Sequence, residues 1–213
     1  MGTALRGLCE RESNIKVQDF KSKDINHSKV SLVIDFSSPE GFEYALKLCI
    51  QKKIPFISGT TGLTNNHSKL INSAKDSIPI LIASNMSLGI ANLKNSISNY
   101  ILNNSSITNC KIVEIHHKNK KDSPSGTALE ILKFLEECLN NKKDIPIEIK
   151  SHRIGNIYGI HRVEIQSQDG AIYFQHIANS RDIFAEGALM ASIWAASRDA
   201  GLYSFADFLN KKL

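Results

Sequence analysis

Long hydrophobic runs are absent from this sequence of 213 residues. The longest apolar stretches, residues 78–83 and 188–196, are far shorter than the roughly 20 residues that cross a bilayer. Charged side chains, among them Arg6 and Glu10, interrupt any signal-like segment at the start of the chain. We therefore expect a cytoplasmic protein without a membrane partner.

Cysteine is scarce: the chain has four, and no two of them form a C-x-x-C pair. Cys9, Cys49 and Cys138 lie in segments with a helical, partly apolar pattern. No cysteine stands at a metal-ligand spacing from another cysteine or a histidine. This usage predicts reduced structural thiols in a reducing compartment and no metal site.

Concentrated charge is also missing. The formal net charge is +5 and the sequence pI about 9.0, but the basic residues are spread along the chain. The densest basic group, residues 118–121, lies inside a motif that has a better explanation than nucleic-acid binding. An anionic small molecule suits this charge, and we expect no nucleic-acid partner.

Hydrophobic residues make up 42% of the chain, enough for a sizeable core. The short, nearly continuous apolar runs 30–36, 55–58 and 78–83 alternate with amphipathic segments, which predicts a doubly wound parallel sheet. A helix over 3–12 and a short strand over 15–20 are predicted before them.

The pattern changes after Met86. Strand-like runs over 111–116, 147–153, 161–168 and 171–178, with helices over 89–102 and 126–139, predict an α+β domain with a mostly antiparallel sheet. Helices are predicted again over 184–197 and 205–209. The organisation is therefore a dinucleotide-binding domain at 1–86, a substrate-binding and oligomerisation domain at 87–183, and C-terminal helices at 184–213 that return to the first domain.

The segment 114–128 is the richest in reactive side chains. It contains His116, His117 and Lys120, followed by a Ser-Gly-Thr turn at the start of a predicted helix. Free amides at a helix N-terminus suit a carboxylate, and the nearby lysine and histidines add charge and titratable groups. A solvated basic loop followed by a helix cap is the alternative, and composition alone leaves both open.

The same run, E-x-H-H-x-x-K-x-D-S-P-S-G-T-A, resembles the signature of dihydrodipicolinate reductases, with Ser123 in place of the usual alanine. Further segments resemble the family in the same order: D-F-S-S-P at 35–39, G-T-T-G at 59–62, A-S-N-M-S-L-G at 83–89 and R-I-G-N-I-Y-G-I-H at 153–161. Without the family, Asp35 could simply cap a helix, Gly59 and Gly62 could be turn glycines, and His161 could be a structural sheet histidine.

The resemblance implies a Rossmann-like domain and an NADH- or NADPH-dependent reduction of 4-hydroxy-tetrahydrodipicolinate to tetrahydrodipicolinate in lysine (diaminopimelate) biosynthesis. The partners it implies are a small dicarboxylate substrate and further copies of the chain in a homotetramer. His116 and Lys120 correspond to the catalytic residues, with His117, Gly126 and Thr127 for substrate binding. The cofactor residues it implies are Gly59, Thr60, Thr61, Ser84, Asn85, Met86 and Lys21.

Members of this family open with a strand and a glycine loop, of which only Met1-Gly2 corresponds here. The resemblance therefore implies a first domain truncated at its first strand, with weakened cofactor binding. A non-catalytic or cofactor-impaired remnant of the enzyme is one alternative. A related nicotinamide-dependent oxidoreductase is another, although the E-x-H-H-x-x-K motif argues against it.

Overall fold

The computed structural model describes residues 1–12, 14–18, 29–140 and 144–210. The chain divides into two compact units, Met1–Ser87 with Phe184–Leu213 and Leu88–Ile183. Among the described residues, no helix has the length and apolar character needed to span a membrane. The elements in chain order are α1 (Gly2–Cys9), β1 (Val33–Asp35), α2 (Pro39–Lys52), β2 (Phe56–Ser58), α3 (Asn65–Ala74), β3 (Pro79–Ile82), α4 (Leu88–Leu102), β4 (Ile107–His116), α5 (Gly126–Leu139), β5 (Ile147–Arg153), β6 (Gly159–Ser167), β7 (Gly170–Ala178), α6 (Asp182–Ala196), β8 (Gly201–Tyr203) and α7 (Phe205–Asn210).

The first unit is built on a parallel sheet with the order β1-β2-β3-β8. Helix α2 begins after Ser38, whose hydroxyl accepts the Gly41 amide, and it ends at Lys53 in the left-handed conformation. Its apolar face packs on the sheet, where the rings of Phe42 and Phe56 meet edge to face at 5.2 Å. The predicted Rossmann-like parallel sheet is confirmed.

Two short strands were assigned wrongly from the sequence. Residues 15–18 of the strand predicted at 15–20 are not in a strand, and residues 19 and 20 lie outside the described residues. An extended segment becomes a strand only when it pairs with a neighbour. In the described sheet β1 is the edge strand, so residues 15–18 do not pair with it. Strand β8 was missed because its three residues become a strand only by pairing with β3.

The second unit contains a mixed sheet with the order β5-β4-β6-β7. Strand β5 is parallel to β4, whereas the β4–β6 and β6–β7 pairs are antiparallel, which confirms the prediction of a mostly antiparallel sheet. One face packs against α4 and α5 around a core that includes Ile97, Ile112, Leu135 and Val163. Buried and partly exposed residues alternate along β6, as expected for a sheet covered on one face.

Gly187 in helix α6 lies very close to Met86, in the loop that follows β3. A Cβ atom placed on this glycine would lie only 1.8 Å from the Met86 carbonyl oxygen and 3.4 Å from the Phe205 ring. The helix can therefore approach Met86 this closely only because residue 187 has no side chain.

We predict that Gly187→Ala lowers the free energy of unfolding by about 1–3 kcal/mol, because overpacking forces the helix away from Met86. Denaturant unfolding measures the change. Gly7→Ala is the matched control: a Cβ there meets no atom of the described residues within 4 Å. In a helix this change should be neutral or stabilise by about 0.5–1 kcal/mol. Equal stability of the Gly187 variant and the wild type would contradict the close approach.

Candidate active site

Glu114 and His116 lie two residues apart on β4, one of the two interior strands of the second sheet. Because side chains of a strand alternate between faces, the two point to the same face. Glu114 is fully buried and His116 nearly so. The Glu114 carboxylate accepts a hydrogen bond from Nδ1 of His116, which directs the other ring nitrogen, Nε2, away from the pair.

The second oxygen of Glu114 binds two further segments. Its Oε1 atom lies 2.9 Å from Nη2 of Arg153 on β5 and accepts the Ser125 amide at 3.3 Å. Arg153 also donates to the Asp122 carbonyl oxygen. The Glu114 carboxylate therefore connects β4, β5 and the start of α5, and Arg153 adds the loop after β4.

Electrostatics in this cluster follow from burial and from the Glu114 contacts. Burial alone would raise the pKa of Glu114, but hydrogen bonds, that from Arg153 foremost, lower it below its usual value. Burial also lowers the pKa of His116, with the positive charges of Lys120 and Arg153 adding to the effect against the pull of Glu114. His116 is thus a neutral imidazole beside an ionised carboxylate at neutral pH, with Nε2 able to accept a proton.

His161 on β6 joins the cluster from the other side. Its ring meets that of His116 edge to face with centroids 5.0 Å apart, and its Nε2 lies 3.3 Å from the Ser125 hydroxyl. That hydroxyl caps α5 by accepting the Ala128 amide at 3.2 Å. Burial, followed by the charge of His116, lowers the pKa of His161 to about 3.

Gly159 leaves the space that the His116 ring occupies. A Cβ atom there would lie 3.0 Å from Nε2 of His116. A larger residue at the start of β6 would therefore press on the ring nitrogen that the Glu114 contact leaves available.

The other residues expected at this site lie around the same cluster. Lys120 forms a 2.8 Å ion pair with Asp122 and is close enough to act on the pKa of His116. His117 directly follows β4 and is partly buried. Gly126 and Thr127 form the first turn of α5, whose cap is Ser125. The structure therefore brings all five predicted catalytic and substrate residues to one end of the second sheet.

The predicted cofactor residues lie in the first unit. Gly59, Thr60 and Thr61 follow β2, and Ser84, Asn85 and Met86 follow β3. Since β2 and β3 are parallel neighbours, both segments lie at the carboxyl edge of the sheet, where ligands of such folds bind. Lys21 lies outside the described residues.

Four residues around His116 received no role from the sequence alone: Glu114, Ser125, Arg153 and His161. The period of two along β4 places Glu114 beside His116, so this one had a sequence signal. The contacts of Arg153 and His161 depend on the pairing of β4 with β5 and β6.

Glu114, His116 and His161 offer ligand atoms within 4.8 Å of one another, the arrangement of a possible metal site. The Glu114 oxygens, however, already receive hydrogen bonds from His116, Arg153 and Ser125. The guanidinium of Arg153 also opposes a second cation at this position. We interpret the group as a hydrogen-bonded cluster and assign no metal to it.

Comparison with known proteins agrees with this geometry. Residues 2–86 match the family model described as dihydrodipicolinate reductase, N-terminus, and residues 90–209 match the one described as dihydrodipicolinate reductase, C-terminus. The chain belongs to the dihydrodipicolinate reductase family. The N-terminal match is to the NAD(P)H-binding domain of this reductase family.

Relatives match nearly the whole length of this chain. This chain is 33% identical to the 4-hydroxy-tetrahydrodipicolinate reductase of Alkaliphilus oremlandii, over 99% of this chain and 94% of the relative. It is 34% identical to the reductase of the same name from Campylobacter lari, over 98% of this chain and 94% of the relative. Dipicolinate-bound dihydrodipicolinate reductase from Paenisporosarcina sp. TG-14 shares the fold, with a TM-score of 0.63 and 22% identity over 83% of this chain and 72% of that one.

The lowered pKa of the buried His161 predicts how the stability of the chain depends on pH. Unfolded His161 takes up a proton near the ordinary histidine pKa of 6.5, whereas the folded residue does so only at about 3. The unfolded state therefore binds more protons in this window, and the free energy of unfolding falls as the pH drops from 6.5 towards 3. We expect a shallower fall in His161→Gln, measured by urea unfolding across this range.

His152→Gln is the matched control, since His152 is an exposed histidine in the same sheet. Its pH dependence should follow that of the wild type. An equally steep fall in His161→Gln and the wild type would show that His161 does not remain neutral in the folded chain.

Proposed function

We propose that the chain catalyses the NADH- or NADPH-dependent reduction of 4-hydroxy-tetrahydrodipicolinate to tetrahydrodipicolinate in the diaminopimelate route to lysine. The observation that carries the proposal is the buried Glu114–His116 pair beside Lys120 and the capped start of α5. It occurs in a chain that belongs to the reductase family, which argues against a different class of oxidoreductase.

Substrate binding is assigned to the turn that begins α5. The dipole of a helix places partial positive charge at its N-terminus. Gly126 and Thr127 form this first turn of α5, and His117 lies in the loop before it. Together with Lys120 they suit a small substrate with two carboxylates.

Proton transfer is assigned to His116 and Lys120. A nicotinamide cofactor bound here would supply a hydride, and the net reaction takes up one proton and releases one water. Lys120, held by Asp122 at 2.8 Å, is our choice of proton donor. His116 is kept neutral by burial and oriented by Glu114, so that Nε2 acts as its acid–base partner.

Cofactor binding is assigned to the carboxyl edge of the parallel sheet. The turn Gly59–Thr61 and the segment Ser84–Met86 follow neighbouring parallel strands, and the exposed Thr61 and Ser84 carry hydroxyls of the kind that a nicotinamide amide and a ribose require. Lys21 and Lys23 closely follow residues 15–18 in the sequence. Two lysines would suit a ribose phosphate, so we expect NADPH to be accepted alongside NADH.

The test uses His116→Ala and Lys120→Ala in an assay of NADH and NADPH oxidation with the substrate generated by the preceding aldolase reaction. We expect turnover to fall by about 10²- to 10⁴-fold, the range for loss of an acid–base group. Titration with pyridine-2,6-dicarboxylate, a planar substrate analogue, should show weakened binding by Lys120→Ala.

Lys118→Ala is the control for both measurements, because Lys118 is an exposed lysine in the same loop. It should keep turnover and analogue binding within about twofold of the wild type. Near-normal turnover in His116→Ala or Lys120→Ala would remove that residue from the mechanism. A folded wild-type chain that does not bind the analogue would leave only the non-catalytic alternative.

We further propose a cytoplasmic homotetramer assembled through the face of the second sheet opposite α4 and α5. Along β7, Ile172 and Phe174 pack into the core below α4, whereas Tyr173 and Ile177 on the opposite face are 58% and 50% exposed. Arg162 stacks on Tyr173 at 5.5 Å on that face. The cysteines, all four free, suit a reducing compartment.

Tyr173→Lys combined with Ile177→Lys should lower the molar mass measured by light scattering, because a charge would be buried at each copy of the interface. Tyr44→Lys is the control, since Tyr44 is 63% exposed in the first unit. An unchanged mass in the double variant would exclude this face as the contact between copies.

A further inference from the structure

Asp35, at the end of β1, carries a buried carboxylate in the first unit. It is 6% exposed, and its neighbours Ser58 and Thr60 are 0% and 6% exposed. The alternative interpretation of Asp35 as a helix cap is wrong, because Ser38 accepts the Gly41 amide at the start of α2. The Asp35 carboxylate therefore does not cap α2 and makes other contacts.

Its two oxygens receive four hydrogen bonds. Oδ1 accepts the amide of Ser37 at 3.1 Å and its hydroxyl at 2.5 Å. Oδ2 accepts the hydroxyls of Ser58 at 2.8 Å and Thr60 at 2.7 Å. Three hydroxyls and one amide from the ends of β1 and β2 thus converge on one anion.

These contacts also determine how the hydroxyls are used. An ionised carboxylate can only accept, so the hydroxyl protons of Ser58 and Thr60 must point at Asp35. Their oxygens are then acceptors for backbone amides: Ser58 accepts the Thr60 amide at 3.1 Å, and Thr60 accepts the Ser37 amide at 2.9 Å. The backbone of Asp35 contributes as well, since its carbonyl oxygen accepts the Gly59 amide at 2.9 Å.

Close packing holds the same turn from its other side. A Cβ atom on Gly59 would lie 2.0 Å from the Phe36 ring, so the chain passes directly against the residue that follows Asp35. The conformation of the turn Gly59–Thr61 is therefore determined by contacts within the protein, before any ligand binds.

We propose that Asp35 is a positioning residue for cofactor binding: its carboxylate orders the Ser58 and Thr60 hydroxyls and so holds the Gly59–Thr61 turn in its ligand-binding conformation. The inference rests on the proposed function, which assigns this turn to the nicotinamide. A pre-ordered turn binds without the cost of ordering its backbone on association. Loss of the carboxylate should therefore weaken cofactor binding and leave the second unit unaffected.

The experiment compares Asp35→Asn and Asp35→Ala with the wild-type chain in titrations with NADH and with pyridine-2,6-dicarboxylate. In Asp35→Asn the amide group meets hydroxyls that already accept backbone amides, so part of the network must break. We expect NADH affinity to fall about tenfold or more, the equivalent of one charge-assisted hydrogen bond. Dicarboxylate affinity should stay within about twofold.

Asp76→Asn removes an exposed carboxylate from the same unit and is the charge-matched control. It should leave both affinities unchanged. Amide hydrogen exchange of residues 56–62 is the second readout, and it should accelerate in the Asp35 variants while exchange in β4 and β6 does not change. A residue needed only for folding would alter stability without this separation of the two affinities.

The outcomes are distinct. NADH affinity within twofold of the wild type in both variants overturns the proposal, and if Asp35→Ala does not fold, Asp35→Asn alone decides. If the wild-type chain binds no NADH, the cofactor part of the proposed function fails. Hydrogen exchange then still decides on Asp35, since unchanged exchange of residues 56–62 would show that it does not order the turn.

Discussion

The candidate active site depends on one buried carboxylate, that of Glu114. An ionised group without solvent is costly unless charged and polar partners surround it. Here the partners come from separate parts of the chain: His116 from the same strand, Arg153 from β5 and the Ser125 amide from the start of α5. The hydrogen bonds that stabilise the Glu114 carboxylate therefore also fix the orientation of the His116 imidazole and the position of the start of α5.

The Asp35 cluster in the first unit applies the same principle with neutral donors. A carboxylate at the end of a buried strand collects hydroxyls and an amide from the loops after β1 and β2. In both units the chain places an acceptor-only group where loop segments meet, which restricts their hydrogen bonds to one arrangement. Such networks hold functional loops in place on a rigid sheet.

Glycines mark the places where this organisation requires close approach. Gly187 lets α6 approach the Met86 carbonyl, Gly59 lets the turn Gly59–Thr61 pass Phe36, and Gly159 leaves space for the His116 ring. Each is explained by a neighbour distant in sequence. The sequence pattern identified Gly59 as part of a turn, but the neighbour that excludes a side chain became visible only in the fold.

Local pattern in the sequence predicted elements and their class: apolar runs predicted β2 and β3, the helical pattern predicted α4 and α5, and the 114–128 motif identified His116, His117 and Lys120 as candidate site residues. Tertiary structure decided what depends on partners. Residues 15–18 are not a strand and Gly201–Tyr203 is one because strands exist only beside neighbours. Arg153 and His161 reach Glu114 and Ser125 through the pairing of β4 with β5 and β6, a contact between distant segments that no local pattern encodes.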